Sequence, residues 1–174
     1  MKYTFSMSNP SSHFLEIELE ISEVDNNKLQ VQLPSWRPGR YELANFSKNI
    51  QKMEVKDQDN QPLSFFKVSK DLWEIDTSSA REIKIKYNYY AAELNAGSTW
   101  LDERQLYVNP VNCCLYVPDR IEEQCEVVLN VPYSYEVATG LSELEKFSFI
   151  ASNFHELADS PFIASPTLQH EYYE

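Results

Sequence analysis

The chain has 174 residues, enough for one domain with a real hydrophobic core. Its net charge of −12 and isoelectric point near 4.7 set aside nucleic acid and anionic membranes as partners, because the surface repels phosphate. No apolar run approaches the ~20 residues that a membrane-spanning helix needs.

Strand patterns dominate from the N-terminus onward. Residues 1–7 alternate like a strand and lack the apolar centre of a signal peptide. Leu15, Ile17, Leu19 and Ile21 alternate with Glu16, Glu18 and Glu20, a period of two with one wet face. Leu29, Val31 and Leu33 repeat the pattern after the turn Asp25-Asn26-Asn27. Residues 41–51 predict a helical turn or two, with Leu43, Phe46 and Ile50 on one face. Met53 and Val55 lead into the polar turn Asp57-Gln58-Asp59-Asn60, and strands follow over 63–68, 72–75 and 83–91. In the last of these, Ile83, Ile85, Tyr87 and Tyr89 share one face and Lys84, Lys86 and Asn88 the other. Further strands are predicted over 106–108, 113–117, 125–131, 135–138 and 147–151, and a short helical turn over 153–158 with Ser152 as its N-cap. Many short strands at this spacing predict an all-β fold, an antiparallel β-sandwich with one or two short helical turns. With only three glycines, Asn and Asp are expected to carry most turns.

Motifs for chemistry are incomplete. His155-Glu156-Leu157-Ala158-Asp159 has an aspartate where H-E-x-x-H needs its second histidine, and Ser160-Pro161 stops the helix. His170-Glu171 fails likewise, with Glu174 at the second ligand position. Cys113, Cys114 and Cys125 lack the paired spacing of a zinc site. They read as reduced, buried thiols in a reducing compartment, which points to the cytoplasm; a leader trimmed from the chain is the alternative. Asp57, Asp59 and Gln61 resemble the start of a calcium loop, but Pro62 and Val68 replace its glycine and its bidentate glutamate. No nucleophile elbow or phosphate loop is present. Glu93, Asp102 and Glu103 fall near Trp100 and Arg104 and either line a cleft that binds a ligand amine or form a solvated loop with local ion pairs.

The most distinctive stretch is Leu33-Pro34-Ser35-Trp36-Arg37-Pro38-Gly39-Arg40-Tyr41, a loop stiffened by two prolines and released at one glycine. Together with Phe46-Ser47-Lys48-Asn49-Ile50 it resembles a P-x-W-x-P-G-x-Y … F-x-x-N-v signature. That signature is associated with the N-terminal domain of the glycyl aminopeptidase-like metallopeptidases, metallopeptidase family 61. Residues 7–21, the Tyr87–Leu94 segment followed by Trp100-Leu101-Asp102, Leu115-Tyr116-Val117 and residues 154–161 resemble further landmarks in order.

The resemblance implies a modular protein: an N-terminal β domain, a thermolysin-like zinc domain carrying H-E-x-x-H, and often a PDZ domain. Residues 1–166 would be the β domain and 167–174 the start of a connection to a catalytic domain outside this chain. On this reading the chain is not itself an enzyme. Its partners are that catalytic domain and the parent's peptide substrate. It holds no cofactor, zinc being expected in the catalytic domain, where it polarises the scissile carbonyl and activates water. Trp36, Arg37, Tyr41, Glu93 and Asp102 are the candidates for substrate-cleft or interdomain contact. The alternative is a free-standing sandwich that binds carbohydrate or a protein partner.

Overall fold

The computed structural model describes every residue except Tyr41, Ala96, His170 and residues 172–174. Its strands are β1 (Lys2–Ser6), β2 (Phe14–Ile21), β3 (Lys28–Gln32), β4 (Ile50–Asp57), β5 (Phe65–Lys67), β6 (Leu72–Asp76) and β7 (Ile83–Tyr90). They continue as β8 (Trp100–Leu101), β9 (Leu106–Val108), β10 (Cys125–Asn130), β11 (Glu136–Thr139), β12 (Ser142–Glu145), β13 (Ser148–Ala151) and β14 (Phe162–Ser165). Two short helices, α1 (Pro110–Cys113) and α2 (Phe154–Ala158), and three single 3₁₀ turns complete the described elements. The all-β expectation holds.

The largest sheet has seven strands in the order β12-β13-β10-β1-β2-β7-β4; a four-stranded sheet runs β11-β14-β9-β8 and a three-stranded one β3-β6-β5. The pairs are antiparallel except β1 with β10. Period-two alternation decides which face is buried. On β2, Leu15, Ile17, Leu19 and Ile21 point inward, and on β7 so do Ile83, Ile85, Tyr87 and Tyr89. The outward face carries the expected charges, paired across strands as Lys84–Glu18 at 3.2 Å and Lys86–Glu16 at 3.4 Å.

The smaller sheets supply the second layer, with Leu29, Val31, Trp73, Ile75, Leu106, Val108, Phe162 and Ala164 in the same hydrophobic cluster. Phe5 of the large sheet meets Phe162 edge to face, with centroids 5.1 Å apart. Two buried tyrosines tie the large sheet to α1 and the segment after it by hydrogen bonds. Tyr3 donates to the Leu115 carbonyl at 2.8 Å, and Tyr87 donates to the Cys113 carbonyl at 2.6 Å. Burial pushes both phenols well above their ordinary range, and the neighbouring thiols add to it.

Several local expectations are corrected. Residues 113–117 are not a strand: Cys113 closes α1, whose first residue is Pro110, and only Tyr116 forms a bridge, with Gln32. The helical turn expected over 41–51 is a 3₁₀ turn at Phe46–Asn49, and β4 begins at Ile50. In α2 the N-cap is Asn153, whose side chain accepts the Glu156 N–H. Ser152 instead takes the return bond of the capping box, its N–H donating to the Glu156 carboxylate at 2.6 Å. Asn45 and Asn60 do occupy left-handed positions, but so do His13, Glu23, Lys52 and Phe147.

Candidate functional site

The loop after Leu33 leaves the sandwich and returns through a pinched neck. The Ala44 N–H donates to the Ser35 carbonyl at 2.9 Å, and the Leu33 N–H to the Asp71 carbonyl at 2.8 Å. The Ser35 hydroxyl donates to the Asp71 carboxylate. Inside the neck, Gly39 takes φ = +85°, a left-handed conformation that costs glycine little. The rigid loop thus projects Trp36, which is 52% exposed.

A cleft opens on each side of this loop, and Arg37 lines both. The first, about 680 Å³, is mainly apolar: Trp36, Pro34 and Pro38 face Tyr116, Phe154 and Pro161 across it. Tyr116 and Phe154 stack there with centroids 4.6 Å apart. His155 and Asp159 lie on its rim. Among the described residues no three His, Cys, Asp or Glu side chains converge.

The second cleft, about 310 Å³, is polar and is lined by Arg37, Arg40, Lys48, Glu93, Gly97 and Asn112 among others. Its floor is the segment Gly97-Ser98-Thr99, stitched to α1 by two asparagines. Asn109 Nδ2 donates to the Ser98 carbonyl at 2.5 Å and Asn112 Nδ2 to the Gly97 carbonyl at 2.8 Å. The Arg37 guanidinium lies against Gly97, where a side chain on residue 97 would collide with it. Glu93 accepts a bond from the Ser98 hydroxyl at 3.3 Å. Tyr89 backs the cleft, and its phenol is pushed up by burial first and by the Cys113 thiol second. The Asn49 amide, 3.1 Å away, pulls it down, and the Glu93 carboxylate adds a weaker upward push.

The structure distributes the five sequence candidates unevenly. Arg37 and Glu93 share the polar cleft, and Trp36 and Arg37 share the apolar one. Asp102 lines neither; its Oδ1 accepts the N–H groups of Arg104 and Gln105, both at 2.8 Å, and shapes the β8–β9 turn. Burial raises its carboxyl, but those two N–H groups outweigh it and hold the pKa below the ordinary range. The Trp100 indole N–H, buried and without a well-aligned acceptor, adds to that pull. Glu103 accepts from Ser11, away from Glu93. Tyr41 lies outside the described residues. Sequence reasoning missed Asn112, Gly97 and Lys48. The Asn109-Pro110 pair, a helix-start signal, was the available clue to the first.

The profile of the family described as Peptidase M61 N-terminal domain matches residues 2–166. The chain is similar to the crystal structure of an aminopeptidase N family protein from Idiomarina loihiensis, at 27% identity and TM-score 0.86, over 94% of this chain and 29% of that one. It also aligns with the crystal structure of an M1 zinc metallopeptidase from Deinococcus radiodurans, at 9% identity and TM-score 0.46, over 94% of this chain and 41% of that one; that likeness is too loose to bear on function. No curated protein sequence matches the chain. The chain spans 29% of the Idiomarina protein's length. With the family profile covering nearly all of its residues, the distinctive loop among them, the chain belongs to the Peptidase M61 N-terminal domain family.

Proposed function

We propose that this chain is the non-catalytic N-terminal domain of a zinc aminopeptidase-like protein, docking on a catalytic domain and forming one wall of its substrate cleft. One observation supports this most: the loop exposes two large apolar side chains, Trp36 at 52% and Leu43 at 76%, and Leu43 and Tyr90 line the cleft beside Arg37. Such a patch marks a contact surface, and Trp and Arg are favoured anchors there. Residues 167–174 would lead into the catalytic domain, and Glu93 would face the substrate.

The test is a two-chain experiment with the catalytic part of the parent supplied separately. This chain is expected to bind it, and Trp36→Ala to weaken binding roughly 30-fold, the equivalent of an anchor worth about 2 kcal/mol. Alone, with zinc and glycyl-p-nitroanilide, the chain should show no turnover. Turnover by this chain, or undiminished binding by the variant, would overturn the reading. Saturable binding on a glycan array would favour a free-standing carbohydrate module instead.

A further inference from the structure

The connection from β7 to β8 is exposed at Glu93, Leu94 and Asn95, yet Gly97 just after them is buried and firmly held. The Gly97 N–H donates to Asn95 Oδ1 at 2.9 Å, and its carbonyl accepts from Asn112 Nδ2 at 2.8 Å. The Ser98 carbonyl accepts from Asn109 Nδ2 at 2.5 Å, and the Asn109 N–H donates to Thr99 Oγ1 at 3.2 Å. Both asparagines are buried, which makes such hydrogen bonds stiff. They sit at the start of α1 and within it, and the Cys113 carbonyl at the end of α1 accepts from Tyr87 of β7. Gly97 is therefore bolted through α1 to the large sheet. What covers this fixed glycine is the Arg37 guanidinium, which fills the space a side chain on residue 97 would take. A guanidinium is weakly hydrated and packs on backbone at little desolvation cost.

Arg37 comes from the loop that the Ala44–Ser35 hydrogen bond closes at its neck, and its own carbonyl accepts the Arg40 N–H at 3.3 Å inside that loop. A loop held at its neck alone swings about it; a contact away from the neck removes that freedom. Arg37 lies between Trp36 and Pro38, whose ring fixes φ, so seating the guanidinium also sets the direction in which Trp36 projects. Arg37 lines both clefts and so forms the wall between them. We propose that Arg37 and Gly97 form a latch: the guanidinium, seated on the glycine, holds the loop against the body of the domain and presents Trp36 ready for docking. Ordering the loop beforehand lowers the entropy cost of association. Arg37 is thus a positioning residue that acts through Trp36. Its use in docking rests on the function proposed above; the latch itself is a property of this chain alone.

The experiment measures backbone amide order parameters by NMR for the 174-residue chain, Arg37→Ala, Gly97→Ala and the double variant. The unaltered loop should show values near the rigid limit of about 0.85, and each single variant should drop below about 0.6 there, with the strands unchanged. Gly97→Ala keeps every charge, and its methyl group has only the flexible end of Arg37 to displace, so the fold survives it. The double variant should be no more mobile than Arg37→Ala, because with the guanidinium gone the methyl group meets nothing. Each single variant should also bind the separately supplied catalytic part roughly tenfold more weakly, and the double variant no worse than that. A loop already mobile in the unaltered chain, a loop still rigid in Gly97→Ala, or effects that add in the double variant would overturn the latch. The order parameters judge the latch without any partner, whereas failure of the unaltered chain to bind the catalytic part would overturn the docking reading.

Discussion

At the scale of single residues, buried hydroxyls and amides hold this fold together more specifically than its charges do. Tyr87 is fully buried, donates to the Cys113 carbonyl at 2.6 Å and accepts the Leu115 N–H at 3.2 Å. One phenol therefore satisfies two backbone groups of a segment that otherwise meets a strand only through the Tyr116–Gln32 bridge. Tyr87→Phe keeps the ring but strands both groups, and should cost about 2 kcal/mol in chemical denaturation. An unchanged midpoint would show that water replaces the hydroxyl. Tyr87 was legible as an inward-facing strand residue, because alternation is local. Its bond to residue 113 was not, because nothing in the sequence pairs positions so far apart. The same holds for Asn112 and Arg37, which meet only across the floor of the polar cleft.

At the scale of elements, short turns with fixed hydrogen bonds set the strand register. The β8–β9 turn depends on Asp102, whose carboxylate accepts two backbone N–H groups. Asp102→Ala should destabilise by about 1 kcal/mol at pH 7. The pKa of Asp102 is depressed in the folded state. Its contribution is therefore present above the unfolded value of about 3.9 and is lost as the pH falls through the lower folded value. Thermal unfolding of the two proteins should differ at pH 7 and converge in strong acid; a constant difference would contradict this. Elements with one wet face, such as β2 and β7, were readable from their alternation. Strand β12 was not: Ser142–Glu145 is exposed throughout and pairs only by its backbone, so its side chains carry no period. Residues 113–117 misled in the opposite way, because Cys113, Cys114, Leu115 and Val117 are all buried, and a buried segment reads as an apolar run whether or not it is a strand.

At the scale of the whole molecule, the N-terminus is a structural centre. Strand β1 lies between β2 and β10, the latter in parallel, so the first residues of the chain join its beginning to its C-terminal half. Deleting residues 1–6 would open two sheet edges and remove Tyr3 and Phe5 from the core. Circular dichroism of the truncated chain should show no cooperative melting; a retained transition would mean that β2 and β10 can close on each other.

The sequence by itself determined the all-β class, the buried face of most strands and the family, through a stiff loop whose composition is visible without any structure. These are local properties: period-two alternation and proline–glycine geometry are written in adjacent residues. The tertiary structure decided the parallel β1–β10 pair, the separation of Asp102 from Glu93, and the meeting of Arg37, Gly97 and Asn112 at one cleft. Each depends on contacts between residues far apart in the chain, and those are fixed only when the two layers pack.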